Sequence, residues 1–190
     1  MDALWWFYTI VLGAAFAQIA TGMAVQWKIR AATAEPIFLP TMLWLGFLLI
    51  LTIQVWIAVG FYQRTVTSMS ILSLLAFLWV PMGIMVLSVF LAEPTWNGSA
   101  PTSDEQRFTR LRRPFFTVLA SIPLVNLVHE IALGSAGMDA DLLFPVLLAA
   151  GAILGFFLRT RKADATLAGV MLVIICVYLV SSYGTVAIPT

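Results

Sequence analysis

Apolar residues fill six long stretches of the chain, and nearly every charge falls between them. The stretches run Leu4–Val25, Thr41–Phe61, Ser70–Leu91, Pro114–Gly134, Leu142–Leu158 and Ala165–Tyr183. A bilayer core of about 30 Å takes about 20 helical residues at 1.5 Å each. Five stretches have that length and Leu142–Leu158 is at the short limit, where Arg159 can reach the interface by snorkelling. The runs are apolar all round, not alternating, which excludes the strands of a membrane β-barrel. The pattern predicts an all-α integral membrane protein, one domain over residues 1–190, with six transmembrane helices in a single bundle.

The connections carry a second pattern. Ser103 followed by Gln106 has the spacing of a capping box, and Asp104 and Glu105 suit the first turn of a helix. Phe108, Leu111 and Phe115 recur at helical spacing, interleaved with Arg107, Arg110, Arg112 and Arg113. This predicts a short amphipathic cytoplasmic helix that lies at the inner leaflet and runs into the fourth span. Its plain role is to set topology. Its sharper role is contact with anionic lipid at Arg107–Arg113.

Charge gives the orientation. Lys28 and Arg30, the four arginines just named, and Arg159, Arg161 and Lys162 all lie in connections on one side, and only Arg64 lies on the other. By the positive-inside rule both termini are non-cytoplasmic and the Ala92–Arg113 connection is cytoplasmic. The start MDALWWFY is acidic, unlike a signal peptide, so the first span is expected to stay in the chain. Hydrophobic residues make up 62% of the chain and charged residues 10%, against about 25% charged in a soluble domain. This leaves almost no soluble part, and localisation in the inner (plasma) membrane is the expectation. Asn97-Gly98-Ser99 matches a glycosylation acceptor but falls on the cytoplasmic side, where it reads as a turn.

Small residues predict where helices approach closely. Gly13, Ala17 and Thr21 form one line in the first span, with Ala14 and Gly22 beside it, and Ala149, Ala150, Gly151 and Gly155 recur in the fifth. Pro81 and Pro123 predict kinks in the third and fourth spans. The two halves of the chain start on opposite sides, as in inverted repeats, but their prolines do not correspond. The lone Cys176 reads as a core hydrophobe.

The costly polar residues concentrate in the fourth span. Asn126, His129 and Glu130 are spaced i, i+3, i+4 and share one helical face. A carboxylate in a span faces a water-filled cavity or a partner within the bundle, and a histidine titrates near neutrality. Together they could relay protons. If the span ends early, both instead mark its boundary. Gln18 and Gln54 sit inside the first two spans, where each amide needs a hydrogen bond. They read as bridges between helices, or as part of a solute path with Asn126. Trp56 and Trp79 lie deeper than interfacial tryptophans and wall a cavity or face lipid.

Several chemistries are excluded. His129-Glu130 lacks the second histidine of HExxH, and no Gly-x-Ser-x-Gly elbow, phosphate loop or Rossmann glycine pattern occurs. One histidine cannot give bis-histidine haem, and one cysteine cannot form a thiol–disulfide pair or an iron–sulfur cluster within the chain. No cofactor, metal or nucleic acid partner is expected. The leading reading is a small transporter or channel for a small polar or ionic solute, proton-coupled through Glu130. The alternatives are a non-catalytic subunit of a larger membrane complex, or a homo-oligomer, and an intramembrane enzyme acting on a lipid-like substrate.

Overall fold

Uncharged apolar runs leave the backbone to satisfy its own hydrogen bonds, and helix is the local solution. The computed structural model describes residues 2–33, 37–65, 70–92, 104–132 and 140–183. They form α1 (Asp2–Thr33), α2 (Leu39–Thr65), α3 (Ile71–Ala92), α4 (Asp104–Ala132), α5 (Ala140–Phe157) and α6 (Arg161–Tyr183). No strand occurs among the described residues. The expectations placed on Ser103 and on Asn97-Gly98-Ser99 lie outside them.

Among the described residues five helices are long and apolar enough to cross a membrane, not six. α5 is the exception: its apolar part, Leu142–Phe157, is shorter than the apolar helices of 22 residues or more elsewhere in the bundle. A second difference concerns α4. The amphipathic segment does run into the fourth span, as the first turns of one continuous 29-residue helix, but its apolar face does not lie on the leaflet. Pro114 lies inside this helix and removes one backbone donor without ending it. The reason is packing. Phe108 and Phe115 are buried, their rings 6.1 Å apart, and Phe108 stands 6.0 Å from Phe38 at the start of α2. The helix face that the sequence assigned to lipid is part of the core.

Side-chain contacts set the direction of every helix. Phe77 of α3 meets Tyr8 of α1 at a ring distance of 4.5 Å, and Ala92 of α3 lies against Gly22 of α1. Tyr8 to Gly22 and Phe77 to Ala92 each rise about 21–23 Å along their helices, so α1 and α3 run parallel. α2 returns between them, bringing Tyr62 within 6.0 Å of Phe77. α4 is antiparallel to α3: Trp79 donates to Ser121 at 3.0 Å near one end, and Arg107 donates to the Leu91 carbonyl at 2.6 Å near the other. α5 and α6 are antiparallel, with Phe144 stacked on Tyr178 at 4.4 Å and Gly151 against Met171. α6 lies parallel to α2, with Arg161 over the Phe38 ring at 5.3 Å and Gly46 beside Leu172.

One end of the bundle therefore gathers the last turns of α1, α3 and α5 and the first turns of α2, α4 and α6. Eight of the ten lysines and arginines belong to these segments, and Arg159 lies in the turn between α5 and α6. The neighbour pattern of the first three helices is not repeated in the last three, since α1 packs along α3 but α4 packs along α5. This gives an inverted repeat no support.

The core centres on Trp44, Phe47, Phe115 and Phe116, all fully enclosed, with ring centroids 5.2–5.5 Å apart at T-shaped angles. That geometry sets ring edges against ring faces. Small residues let the helices close around it, though not on the predicted line. Gly22 is buried against Ala92, while Ala17 and Thr21 are exposed and Gly13 meets nothing within 4 Å. In α5, Gly151 and Gly155 are buried, against Met171 and Phe116, and Ala150 is exposed. Cys176 is exposed on α6, not in the core. The outward positions of α3 and α6 are large: Ile71, Leu72, Leu75 and Met82 on one, Val170, Val173, Val177 and Val180 on the other.

Candidate functional site

The best-built polar centre lies where α4, α5 and α6 meet at the basic end. Arg107 and Arg112 are five residues apart on α4, a rotation of about 140° at 3.6 residues per turn. The spacing sends one towards α3 and the other towards α5 and α6. Both α3 and α5 end here, and the last carbonyls of a helix have no intrahelical partner. In α5 the ladder closes with Leu158 N donating to the Leu154 carbonyl at 3.2 Å. The next carbonyl, Gly155, accepts from Arg112 Nε at 3.0 Å and Nη2 at 2.8 Å. Arg107 does the same for Leu91. Two arginines thus cap two helix C-termini, where the helix dipole favours positive charge.

Asp164 completes the centre. Thr160 caps α6, accepting the Ala163 amide on its hydroxyl at 3.2 Å and the Asp164 amide on its carbonyl at 3.0 Å. This places Asp164 in the first turn, where a carboxylate suits the helix dipole. Arg112 Nη1 donates to Asp164 Oδ2 at 2.7 Å. Oδ1 lies 2.6 Å from Nη2, a close ionic contact that sets the carboxylate along the same edge of the guanidinium. Both residues are buried, Arg112 at 9% exposure and Asp164 at 4%. The Phe116 ring lies 5.6 Å below the guanidinium and adds a cation–π contact. The same ring leaves no room for a side chain at position 155. Charge is balanced and the donors are committed, so the cluster acts as a clamp on three helices.

The sequence pattern singled out Arg112 only as one basic residue among four, and it began the sixth span at Ala165, just past Asp164. The available signal was Thr160 followed by an acid four residues later, a helix start one turn earlier than hydropathy placed it. Burial of the pair depends on α4 and α6 meeting, which no local pattern encodes.

The residues that the sequence did single out lie elsewhere. Gln54 is buried on α2, and Gln18 and Asn126 are half-buried on α1 and α4. Gly13 and Phe16 share an outward-facing groove with Ile53, Trp56 and Ile57, so Gln18 and Gln54 lie at similar depth. Asn126 lies five residues beyond Ser121, towards the opposite end. Counting along the paired helices, it stands about 20 Å from the level of Gln18. No hydrogen bond among the described residues joins these amides. His129 and Glu130 lie within α4 near its end, and their side chains are outside the described residues. From Arg112 to Glu130 is about 27 Å along α4, so the clamp and the predicted polar face occupy opposite ends of one helix. Trp56 and Trp79 are exposed on the outside of the bundle. Among the described residues no three His, Cys, Asp or Glu side chains group as metal ligands.

The fold and composition define a multi-pass α-helical membrane protein. No family model, curated protein or solved structure matches the chain.

Proposed function

We propose that all six helices cross the inner (plasma) membrane with the basic end in the cytoplasm, and that the protein serves as a non-catalytic subunit of a membrane assembly. Two contacts support α5 as a crossing: Phe144 stacks on Tyr178 near one end of the bundle, and Gly155 meets Arg112 at the other. The positive-inside rule then assigns the basic end to the cytoplasm.

The observation that carries the subunit reading is the filled interior. Trp44, Phe47, Phe115 and Phe116 close the middle of the bundle. Two shallow hollows lined by described residues, of about 540 and 390 Å³, open on its outer surface. A line of small residues on α1 supports this helix as the partner surface. Its exposed positions include Ala14, Ala17, Thr21 and Ala24 at alternating spacings of three and four. α1 also exposes Trp6, Phe7, Ile10, Phe16 and Trp27 on its other outward positions, and the small line between them favours helix–helix approach over lipid. Purification in mild detergent tests this: a fixed partner or a defined homo-oligomer is expected, and Ala17→Phe should release it without unfolding the chain. A monomer in native-like lipid, unchanged by that substitution, would refute it.

A second reading, proton-coupled transport of a small polar or ionic solute, draws on Asn126, His129 and Glu130 sharing one face of α4 beyond Pro123. Gln18 and Gln54 would continue the path. Flux into liposomes across a pH series tests it: unchanged flux and pH dependence in Glu130→Gln removes the proton-coupled version.

Lipid contact at the basic end is narrower than the arginine cluster suggests. Arg107 and Arg112 turn inward to Leu91, Gly155 and Asp164. Arg110 and Arg113 are exposed, and we assign anionic headgroup contact to these two.

A further inference from the structure

α5 poses a physical problem that the rest of the bundle does not. Its apolar stretch, Leu142–Phe157, rises about 24 Å, short of a hydrocarbon core of about 30 Å. A short crossing leaves its last carbonyls near the apolar region, where no water satisfies them. Gly155 is one of these carbonyls, and it receives two N–H groups from Arg112. The guanidinium belongs to a helix that precedes α5 in the chain, and the carboxylate that neutralises it, Asp164, to the helix that follows. Inserted alone, α4 would hold an unpaired cation at its membrane border, and the start of α6 an unpaired anion. A lone ionised group there is disfavoured. When α5 crosses, both charges and the orphan carbonyl find their partners in one step.

We propose that Arg112 and Asp164 form a topology lock: their pairing, with Arg112 on the Gly155 carbonyl, commits the short α5 to cross and so sets the direction of α6. The lock rests on the six-span orientation proposed above. Its alternative state is concrete. If α5 stays at the surface, α6 inserts in the reverse direction and Ser182, exposed near the end of α6, changes sides. The basic turn Arg159–Lys162 resists that reversal through the positive-inside bias. Loss of the lock is therefore expected to give a mixture of the two orientations, not a complete inversion.

The test places a single cysteine at Ser182 in a Cys176→Ser background. It is labelled in intact cells with a membrane-impermeant maleimide, shortly after synthesis and before degradation removes misfolded chains. The readout is the ratio of outside to total labelling. With the original Arg112 and Asp164 the ratio should be near one. Arg112→Ala and Asp164→Asn should each lower it at least twofold. The paired apolar replacement Arg112→Met with Asp164→Leu should recover most of the loss, because no unpaired charge remains. Arg112→Lys should fall between, since an ammonium keeps the charge but lacks the forked donors. If the ratio stays near one in both single variants, even with a lower melting temperature, the pair only stabilises and the lock is overturned. If Ser182 is unlabelled from outside with both residues intact, the six-span orientation fails and the lock with it.

Discussion

Gly22→Ala isolates the closest approach of two helices. A Cβ built at Gly22 stands 2.6 Å from the Cβ and 2.8 Å from the Cα of Ala92. Carbon atoms prefer about 3.5–4.0 Å, so α1 and α3 must part by roughly 1 Å. The second contact is backbone, and no rotamer change can relieve it. Overpacking of this kind costs about 1–3 kcal/mol, and the rigid partner favours the upper end. Replacing glycine within a helix returns up to about 1 kcal/mol through backbone entropy. The net expectation is a loss of about 2 kcal/mol. Gly13→Ala on the same helix is the control. It meets nothing within 4 Å, so only the favourable term remains and stability should hold or rise slightly. Ala92→Gly added to Gly22→Ala removes the 2.6 Å contact but not the 2.8 Å one, so rescue should be partial. Unfolding in mixed micelles titrated with SDS, followed by tryptophan fluorescence, measures all four proteins. Equal stability of Gly22→Ala and Gly13→Ala would refute the close approach, and full rescue by Ala92→Gly would refute the backbone contact.

Three further outcomes follow from the packing and the charges. Gly155→Ala drives a methyl into the Phe116 ring and should cost about 1–3 kcal/mol. Phe116→Leu in the same chain should return part of it, and a neutral Gly155→Ala in the same unfolding assay would refute the contact. Trp44→Ala should cost about 3–5 kcal/mol, whereas Trp44→Phe should cost far less. The enclosed Trp44 Nε1 has no hydrogen-bond partner, and deleting a buried orphan donor returns about 1–3 kcal/mol. A Trp44→Phe variant as unstable as Trp44→Ala would show that the indole donor is satisfied after all. Arg110→Gln with Arg113→Gln should reduce thermal stabilisation by anionic over zwitterionic lipid, since each basic charge at such a surface contributes about 1 kcal/mol. An unchanged preference for anionic lipid would place the headgroups elsewhere.

Hydropathy alone determined that the chain is helical and membrane-type, because an uncharged run long enough to cross hydrocarbon has one common local solution. It also placed the helix cores within a few residues, and charge placed the basic connections together, which the helix directions bear out as one end of the bundle. Helix ends were less legible. α4 begins at Asp104 and α6 at Arg161, before the apolar windows open, because caps and tertiary contacts extend helices past the point where hydropathy ends. The face that each helix buries was not legible at all. In lipid both the inward and the outward face are apolar, so no periodicity distinguishes Gly22, packed on Ala92, from Gly13, one line away and open. Amphipathicity misled for the same reason at Phe108 and Arg112: the pattern of a surface helix becomes a core when a neighbour supplies aromatic rings and a carboxylate. Only the meeting of α4 with α5 and α6 decided that one arginine of four is buried, that Asp164 is its partner, and that the last turn of the shortest helix is closed by a side chain from another.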